Sequence, residues 1–359
     1  MTELEAMQHA LALAWKGWGR VHPNPMVGAV VLQDSLPVAE AYHAEFGGSH
    51  AERLAIESAG ARARGATVVV TLEPCAHRGK QPPCVDALIS AGVRRVVAAA
   101  GDPNPIARGG ADALRQAGID VEIGLLAAAA RRQNAAFFHR FGRNQRPWVA
   151  LKLATSLDCR IADAGGRSQW ISGPEARAFV HDLRAGFEAI AVGGRTATLD
   201  DPSLTARGAV SPRLPSRRVI FAGHAPVPDT LQLVRTAHDV PTTVVVPLAS
   251  ADACRERLID SGVECLPAES PAEALEALWG EGVVSVLVEG GGRLAGSLLA
   301  AGLVDRFYWI QAPLWLGSRG TPAVSGWDVA SLESAERWTV VDQRRLGEDT
   351  LLILDRDRA

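Results

Sequence analysis

The chain has 359 residues, of which 47% are hydrophobic and 21% are charged, and its formal net charge is −3. This length predicts two domains, and the composition is typical of a globular protein with a sizeable core. The small negative charge opposes a nucleic-acid partner, and no apolar run reaches the roughly 18 residues that would predict a membrane span. A homo-oligomer is compatible with this composition.

The first part of the chain alternates predicted helices and strands. It opens with MTELEAMQHA, which lacks the basic and apolar regions of a signal peptide and so predicts a cytoplasmic location. Residues 2–18 predict an amphipathic helix with a capping box at Thr2 and Glu5. Strands are predicted at VGAVVLQ, ATVVVTLEP and RRVVAAAGDP, and helices at HAERLAIESAGARA, CVDALISAG and ADALRQAG. This alternation predicts a three-layer α/β domain.

Residues 131–147, RRQNAAFFHRFGRNQRP, interrupt the alternation and are interpreted as a solvated linker, with a basic phosphate-binding patch as the alternative. The predicted domains are therefore 1–145 and 146–359. The second α/β domain has predicted strands at WVALKLATSLD, EAIAVGG, RRVIFAG, TTVVVPL and VVSVLVEGG, and helices at GPEARAFVHDLRAGF and RLAGSLLAAG. The stretches 204–217 and 320–345 are predicted to be rich in loops.

The segment TLEPCAHRGKQPPC, residues 71–84, holds two of the five cysteines. Five cysteines without a signal peptide predict ligand, catalytic or inert roles and oppose a disulfide framework. Cys75 is placed at a strand end and Cys84 at a helix start. The neighbouring prolines restrict the loop and lower the entropy lost on binding a metal. Two thiolates and one imidazole are the ligands of a catalytic zinc with an open fourth position.

SHAE, residues 49–52, offers the third ligand. Residues two apart on a helix do not share a face, which suits a division of labour in which His50 binds zinc and Glu52 moves the proton of the activated water. This H-x-E motif is typical of zinc nucleobase deaminases, although the P-C-x8-C spacing departs from the usual P-C-x-x-C. The alternatives are a closed zinc site with a fourth ligand, such as His43 or His77, and inert core cysteines.

Four stretches in this order, HPNPMVGAVV, GGSHAE, TLEPCAHRGKQPPC and GDPNP, resemble the deaminase half of the bifunctional riboflavin-biosynthesis deaminase/reductase family. The resemblance implies a cytidine-deaminase-like fold and hydrolytic release of ammonia from a diamino-(ribosylamino)pyrimidinone 5′-phosphate, with Glu52 as proton shuttle. It also implies substrate contacts at Asn24, His43, His77, Lys80, Asp102 and Asn104. Only three of the 37 basic residues are lysines, and an ammonium is not equivalent to a guanidinium, which favours a specific role for Lys80.

The stretch VVSVLVEGGGRLAGSLLAAG predicts a strand, a glycine-rich turn and a helix. Backbone N–H groups in such a turn can bind a phosphate, but a plain tight turn is equally compatible, and the G-x-G-x-x-G pattern is absent. Together with LKLATSLD, GRSQWISG and HDLRAGFEAIAVGGRTATLDDPSLTAR, it resembles the reductase half of the same family, whose fold is similar to dihydrofolate reductase.

This second resemblance implies NADPH-dependent reduction of the ribosyl group to a ribityl chain. Lys152 would stabilise the charge that develops on the sugar oxygen, with Glu289 as a further catalytic residue. NADPH contacts are implied at Ala154, Trp170, Thr196, Asp200, Gly290, Gly291 and Gly292. Substrate contacts are implied at Ser168, Arg184, Leu204, Arg207 and Glu289. The two arginines suit bidentate binding of a phosphate.

Four residues depart from the family pattern: Ala41 and Cys159 stand where glycine is usual, Gln81 where threonine is usual, and Ala222 where aspartate is usual. A cysteine in place of glycine predicts that φ at Cys159 lies below zero.

Two other functions compete with the bifunctional enzyme. A zinc-dependent nucleic-acid or nucleoside deaminase fused to an inactive reductase-like domain would require basic stripes and stacking aromatics in its nucleic-acid form, and only 5% of the residues are aromatic. A zinc-stabilised binding module without activity would not need Glu52.

Overall fold

The computed structural model describes residues 1–79 and 81–356. The chain divides into two compact units between Asn144 and Gln145, one residue before the boundary predicted from sequence. Lys80, a predicted substrate ligand, lies outside the described residues. Within the described part of the chain, no helix combines the length and the apolar character that crossing a membrane requires.

The first unit is built on one five-stranded sheet with the strand order β2-β1-β3-β4-β5. Its strands are β1 (Gly28–Gln33), β2 (Leu36–Tyr42), β3 (Thr67–Val70), β4 (Arg95–Ala98) and β5 (Asp120–Ile123). Its helices are α1 (Glu3–Ala14), α2 (Ala51–Ala59), α3 (Cys84–Ala91), α4 (Gly110–Gln116), α5 (Ala127–Gln133) and α6 (Ala135–Arg140). Strand β1 runs antiparallel to β2 and β3, whereas β3, β4 and β5 run parallel to one another.

The helix caps predicted in the first unit are present in the structure. Thr2 and Glu5 form the capping box of α1, each satisfying a backbone N–H at the start of the helix. Gly92 ends α3 in the left-handed conformation. The consecutive valines of β1 and β3 are fully buried because helices cover both faces of the sheet, so their strands are continuously apolar.

The prediction of a solvated linker at residues 131–147 is wrong for most of the segment. Residues up to 140 continue α5 and form α6, and Phe137 and Phe138 pack against the core of the first unit. The Asn134 side chain accepts a hydrogen bond from the Met26 N–H and donates one to the Met26 carbonyl. These contacts attach the segment to the first unit.

The second unit is built on a nine-stranded sheet with the order β11-β10-β9-β8-β12-β6-β13-β16-β15, and β7 pairs with β14 apart from it. Its strands are β6 (Trp148–Thr155), β7 (Arg160–Ala162), β8 (Ala189–Gly193), β9 (Arg217–Phe221), β10 (Thr242–Val246), β11 (Glu264–Pro267), β12 (Ser285–Glu289), β13 (Arg306–Gln311), β14 (Thr321–Pro322), β15 (Trp338–Leu346) and β16 (Asp349–Arg356). Its helices are α7 (Pro174–Arg184), α8 (Gly194–Asp200), α9 (Gln232–Arg235), α10 (Ala251–Leu258), α11 (Pro271–Gly280) and α12 (Gly292–Ala300).

Seven strands of the large sheet, from β11 to β13, are parallel, and β16 and β15 close it with an antiparallel hairpin. Strands β6 and β12 lie side by side, with Lys152 directly opposite Glu289. Ala154 follows Lys152 by two residues on β6, so both face the same side of the sheet. The parallel strands therefore bring two predicted catalytic residues together near their carboxyl ends.

Two further sequence predictions for the second unit need correction. Cys254 on α10 and Cys265 on β11 form a disulfide, although the cysteine pattern predicted ligand, catalytic or inert roles. The stretch 320–345, predicted as loop, contains most of β15. Most of its residues are exposed, and the polar run DQRR gives no apolar alternation from which a strand could be predicted.

The prediction that φ lies below zero at Cys159 is also wrong, because φ at this residue is +59°. The turn fixes this conformation from both sides. The Cys159 N–H donates to the Ser156 carbonyl, and the Cys159 carbonyl accepts a hydrogen bond from Ala323. A side chain in the left-handed region brings its Cβ close to the following carbonyl oxygen, so the turn carries strain that glycine would avoid.

We expect Cys159→Gly to stabilise the second unit. Relief of the left-handed strain contributes about 1 kcal/mol, which raises Tm by about 2–4 °C for a unit of this size. Calorimetry of the full chain measures this shift. Cys159→Ala is the matched control, because it also removes the thiol but keeps a Cβ, and an equal gain in both variants would rule out the backbone explanation.

Candidate active sites

A cavity of about 220 Å³ lies in the first unit, lined by the segments that follow β3 and β4 and by the start of α2. Its lining includes the predicted site residues Asn24, His43, His50, Glu52, Cys75, His77, Asp102 and Asn104. These residues come from five separate stretches of sequence. The fold thus brings these eight residues to one cavity, and Cys84 contacts them through His50.

Three of the predicted zinc ligands converge at this cavity. The ligand atoms of His50, Cys75 and Cys84 all lie within 4.8 Å of one another. His50 Nδ1 is 3.2 Å from the Cys84 sulfur and 3.6 Å from the Cys75 sulfur. His50 caps α2 and Cys84 begins α3, so two helix starts hold the group. Tetrahedral bonds of about 2.1–2.3 Å would separate such ligands by roughly 3.6–3.8 Å. The His50–Cys75 distance matches this separation, and the His50–Cys84 distance is shorter.

The electrostatics of the group suit a cation. Hydrogen bonds from the Cys84 thiol and backbone N–H, together with His50, lower the pKa of the Cys75 thiol, whereas the same pairing raises the pKa of the Cys84 thiol. A hydrogen bond with Cys75 in turn raises the pKa of His50. Thiolate is the form that binds metal, so the sulfur of Cys75 is already disposed to act as a ligand.

A closed zinc site with His43 as fourth ligand is not favoured. His43 Nδ1 lies 3.1 Å from the Ser49 carbonyl, and Nε2 lies 3.2 Å from the Asn24 side-chain nitrogen. Both ring nitrogens are thus engaged, and within the described part of the chain no fourth His, Cys, Asp or Glu joins the ligand group. The arrangement is that of a three-ligand site with room for water.

Glu52 lies beside the ligand group on the first turn of α2 and is only 4% exposed. Burial raises the pKa of its carboxyl, and the nearby His50 opposes this only partly. A carboxyl whose pKa is raised holds a proton more readily than an exposed one. This is the behaviour that a proton shuttle needs.

The opposite wall of the cavity carries hydrogen-bonding groups. His77 Nδ1 is buried and has no hydrogen-bond partner among the described residues. Asp102 accepts a hydrogen bond from the Asn104 N–H, and burial raises the pKa of the Asp102 carboxyl to about 6. Together with Asn24, these groups offer donors and acceptors to a polar heterocycle.

The lining also contains residues that sequence reasoning did not assign, among them Glu73, Gln81 and Phe137. Gln81, noted only as a departure from the family pattern, donates to the Gly47 carbonyl. Phe137 was not predicted to line the site because its segment, residues 131–147, was interpreted as a linker. The available signal for Glu73 was an acidic residue inside a segment that is otherwise apolar, TLEPC.

The predicted catalytic residues of the second unit form an ion cluster around the buried Glu289, in which Lys152 and Arg184 are partly buried. The Arg184 guanidinium binds the Glu289 carboxylate at 2.5 and 2.9 Å, and Lys152 Nζ lies 3.8 Å from the same carboxylate. Burial opposes ionisation of Glu289, but the two cations outweigh it and lower the pKa of Glu289 to about 2. Burial lowers the pKa of Lys152. The cluster carries one net positive charge when all three groups are ionised.

The glycine turn after β12 is left-handed and closely packed. Gly290 and Gly291 have φ of +72° and +85°, and α12 begins at Gly292. A Cβ at Gly291 would lie 3.1 Å from the Thr196 hydroxyl, and one at Gly292 only 2.5 Å from the Pro322 carbonyl. The turn needs glycines because Thr196 and the Pro322 backbone pack closely against it. Binding of phosphate by the backbone N–H groups at the start of α12 stays a prediction from sequence.

The remaining predicted residues of the second unit differ in their surroundings. Ser168 donates to Asp200 at 3.1 Å, which joins a predicted substrate contact to a predicted NADPH contact. Trp170 is exposed and stacks under Arg177. The Leu204 side chain is buried in the core, so Leu204 could contact a substrate only through its backbone, and Arg207 is exposed.

Comparison with known proteins agrees with both halves of this description. Residues 1–100 match the family model of the cytidine and deoxycytidylate deaminase zinc-binding region, and residues 147–352 match the RibD C-terminal domain. The chain is 40% identical to the riboflavin biosynthesis protein RibD of Escherichia coli, covering 97% of this chain and 98% of that protein. It is 39% identical to RibD of Mycobacterium tuberculosis, covering 98% and 96% of the two chains.

Solved structures show the same similarity over 99% of both chains. Acinetobacter baumannii RibD superposes with a TM-score of 0.85 at 34% identity. A diaminohydroxyphosphoribosylaminopyrimidine deaminase/5-amino-6-(5-phosphoribosylamino)uracil reductase from Thermotoga maritima superposes with a TM-score of 0.85 at 33% identity. The chain belongs to the RibD family of bifunctional deaminase/reductase enzymes of riboflavin biosynthesis.

Proposed function

We propose that the first unit deaminates a diamino-(ribosylamino)pyrimidinone 5′-phosphate by zinc-dependent hydrolysis, and that the second unit then reduces the ribosyl group of the product with NADPH. The observation that carries this proposal is the convergence of two cysteine sulfurs, one imidazole and a buried glutamate in one cavity. For the reduction, the supporting observation is the partly buried Lys152 beside Glu289.

In the deaminase unit, His50, Cys75 and Cys84 would hold the metal. Zn²⁺ bound by such a set supplies a water molecule whose pKa falls to about 7. Glu52 would carry a proton on its carboxyl oxygen from the attacking water molecule to the departing amine, so that ammonia would leave as a neutral molecule. Burial raises the pKa of the Glu52 carboxyl, which is the direction that favours uptake of a proton.

The wall formed by Asn24, His43, His77, Asp102 and Asn104 would bind the substrate. Their side chains line the cavity and present donors and acceptors that can match the ring and its substituents. The unpartnered Nδ1 of His77, among the described residues, supports a ligand at that position because buried polar atoms are normally satisfied. Lys80 stays a prediction from sequence.

In the reductase unit, Lys152 would donate a proton or a hydrogen bond to the sugar oxygen on which charge develops. NADPH supplies the hydride, and the turn at Gly290, Gly291 and Gly292, with Thr196 beside it, would bind a cofactor phosphate. Ala154 shares a sheet face with Lys152, and Trp170, Asp200 and Ser168 complete the proposed contacts.

The ion cluster refines the proposed roles of the two arginines. Arg184 directs two of its nitrogens to Glu289 and a third to the Thr205 carbonyl at 3.1 Å. We therefore assign Arg184 to holding Glu289 and the loop at Thr205, and the exposed Arg207 to binding the substrate phosphate. Glu289 would orient Lys152 and accept a hydrogen bond from the sugar.

The competing functions have less support. A deaminase with an inactive second unit would have no use for a partly buried Lys152 held beside a paired Glu289, because taking charges out of water without a function is costly. An inactive zinc-binding module would have no use for a buried carboxyl beside the ligand group. A homo-oligomer and a cytoplasmic location stay predictions from sequence.

The ligand assignment predicts which variants lose metal. Cys84→Ala should reduce bound zinc from about one ion per chain to a small fraction, because it removes one of three ligands. His43→Ala should keep zinc, since its ring nitrogens are used by Ser49 and Asn24. Elemental analysis of the purified proteins measures both, and loss of zinc from His43→Ala would indicate a closed four-ligand site.

Glu52→Gln should keep zinc and lose ammonia release by about 10²–10⁴-fold, because the amide cannot carry the proton. Ammonia release and zinc content are measured on the same samples. Glu57→Gln on the exposed side of α2 is the matched control and should stay close to the parent protein. Undiminished ammonia release in Glu52→Gln would remove Glu52 from the mechanism.

Lys152→Ala should lower NADPH oxidation by at least about 10²-fold while leaving ammonia release near that of the parent, because the stabilisation of developing charge is lost only in the second unit. Lys16→Ala is the control, since Lys16 belongs to the first unit and lies over the Tyr42 ring. Both activities are followed separately with the same substrate. Equal loss of both would mean that the two chemistries are not separable by unit.

A further inference from the structure

Glu73 is a buried acidic residue whose carboxylate is used entirely by backbone groups in the described structure. One oxygen accepts hydrogen bonds from the N–H groups of Gly109 and Ala111, at 3.1 and 3.0 Å. The other accepts a hydrogen bond from the Asp102 N–H at 3.0 Å. Residues 99–109, between β4 and α4, are called the β4–α4 loop. Glu73 thus forms hydrogen bonds near both ends of this loop.

The two ends of the β4–α4 loop are not held equally. At the α4 end, a Cβ on Gly110 would lie 1.7 Å from the Pro74 carbonyl, so the two backbones are in direct contact. The Ala76 N–H also donates to the Ala107 carbonyl. At the β4 end, the Glu73 N–H donates to the Ala100 carbonyl, and beyond Ala100 the Asp102 N–H donates to one oxygen of the Glu73 carboxylate. The position of Asp102 therefore depends on this one oxygen more than the α4 end does.

The β4–α4 loop carries two residues of the cavity wall. Asp102 and Asn104 both line the cavity, and the Asp102 carboxylate in turn accepts a hydrogen bond from the Asn104 N–H. A chain of contacts thus runs from Glu73 through the Asp102 backbone to the side chains that face the substrate.

We propose that Glu73 is a positioning residue for the deamination reaction, which sets the affinity for the pyrimidine ring by fixing the β4–α4 loop. This inference rests on the proposed deaminase function. Glu73 acts through Asp102 and Asn104, so it governs substrate binding more than the chemical step. Removing it should raise KM and leave kcat largely unchanged, because the ligand group and Glu52 stay in place.

Glu73→Gln tests this inference because the amide has nearly the same shape but only one acceptor oxygen. If that oxygen keeps the hydrogen bonds to Gly109 and Ala111, the amide NH2 meets the Asp102 N–H, and two donors then face each other. The Asp102 end of the loop must move. We expect KM for ammonia release to rise about tenfold and kcat to stay within about threefold.

Zinc content and NADPH oxidation with the deaminated substrate are the controls for folding, and both should equal those of the parent protein. Glu57→Gln makes the same chemical change at an exposed site and should leave KM unchanged. If Glu73→Gln does not fold, Glu73→Asp decides the question, because it keeps the charge but shortens the side chain. Glu73→Asp should raise KM by less than the tenfold expected for Glu73→Gln, and it should keep its zinc.

A double-mutant cycle tests whether Glu73 acts through Asp102. In an Asp102→Ala background, Glu73→Gln should raise KM by less than about threefold, since the group it positions is already gone. An unchanged KM in both Glu73 variants, a kcat loss at constant KM, or fully multiplicative effects in the cycle would each overturn the inference. A parent protein that releases no ammonia would instead overturn the proposed function.

Discussion

The cost of burying a carboxylate is the constraint on which both candidate sites depend. Glu52, Glu73 and Glu289 are 4%, 9% and 7% exposed, and an ionised carboxylate at such depth is destabilising by several kcal/mol unless other groups compensate it. The fold meets this cost differently at each position. Glu289 is paired with two cations, Glu73 receives three backbone N–H groups, and for Glu52 burial dominates and raises the pKa.

These three environments give glutamate three different roles. A carboxylate held ionised between cations, as at Glu289, can accept hydrogen bonds and orient an ammonium but does not readily exchange protons near neutral pH. A carboxylate satisfied by backbone N–H groups, as at Glu73, holds a loop in place. A carboxyl whose pKa is raised by burial, as at Glu52, is the one suited to transferring a proton. Environment, not residue identity, separates catalysis from support.

The sheets place these environments at the ends of parallel strands. Strands β3 and β4 deliver Glu73 and Asp102 to the same edge, and β6 and β12 set Lys152 opposite Glu289 in register. Parallel strands have adjacent carboxyl ends, so residues that are distant in sequence meet there. The two units use unrelated sheets, but the same property of parallel pairing builds both sites.

Sequence reasoning predicted what local patterns encode. Apolar runs and turn residues predicted most of the strands and helices that carry the sites, and the motifs around His50 and Cys75 predicted the ligand group. Helices α5 and α6 were missed because six or seven residues carry too little periodicity, and their apolar residues pack only in the tertiary structure. The Cys254–Cys265 disulfide was missed because α10 and β11, which bring the sulfurs together, were not predicted.

Contacts between residues far apart in the sequence could not be predicted either. Arg184 was predicted to bind a phosphate, but it contacts Glu289, which is 105 residues away, and no local pattern records such a pairing. Glu73 and its loop partners are 29 to 38 residues apart. In each case the sequence shows a charged residue, but it does not show which distant group forms its hydrogen bond or ion pair.

The four departures from the family pattern alter conformation rather than chemistry. Ala41 pairs with Ala29 in the sheet, and Gln81 donates to a backbone carbonyl at the cavity wall. Cys159 adopts the left-handed conformation that glycine favours, at a cost confined to its turn. Ala222 packs in an apolar cluster at the end of β9. None of them removes a member of the ligand group or of the ion cluster around Glu289, so both proposed reactions keep the groups on which they depend.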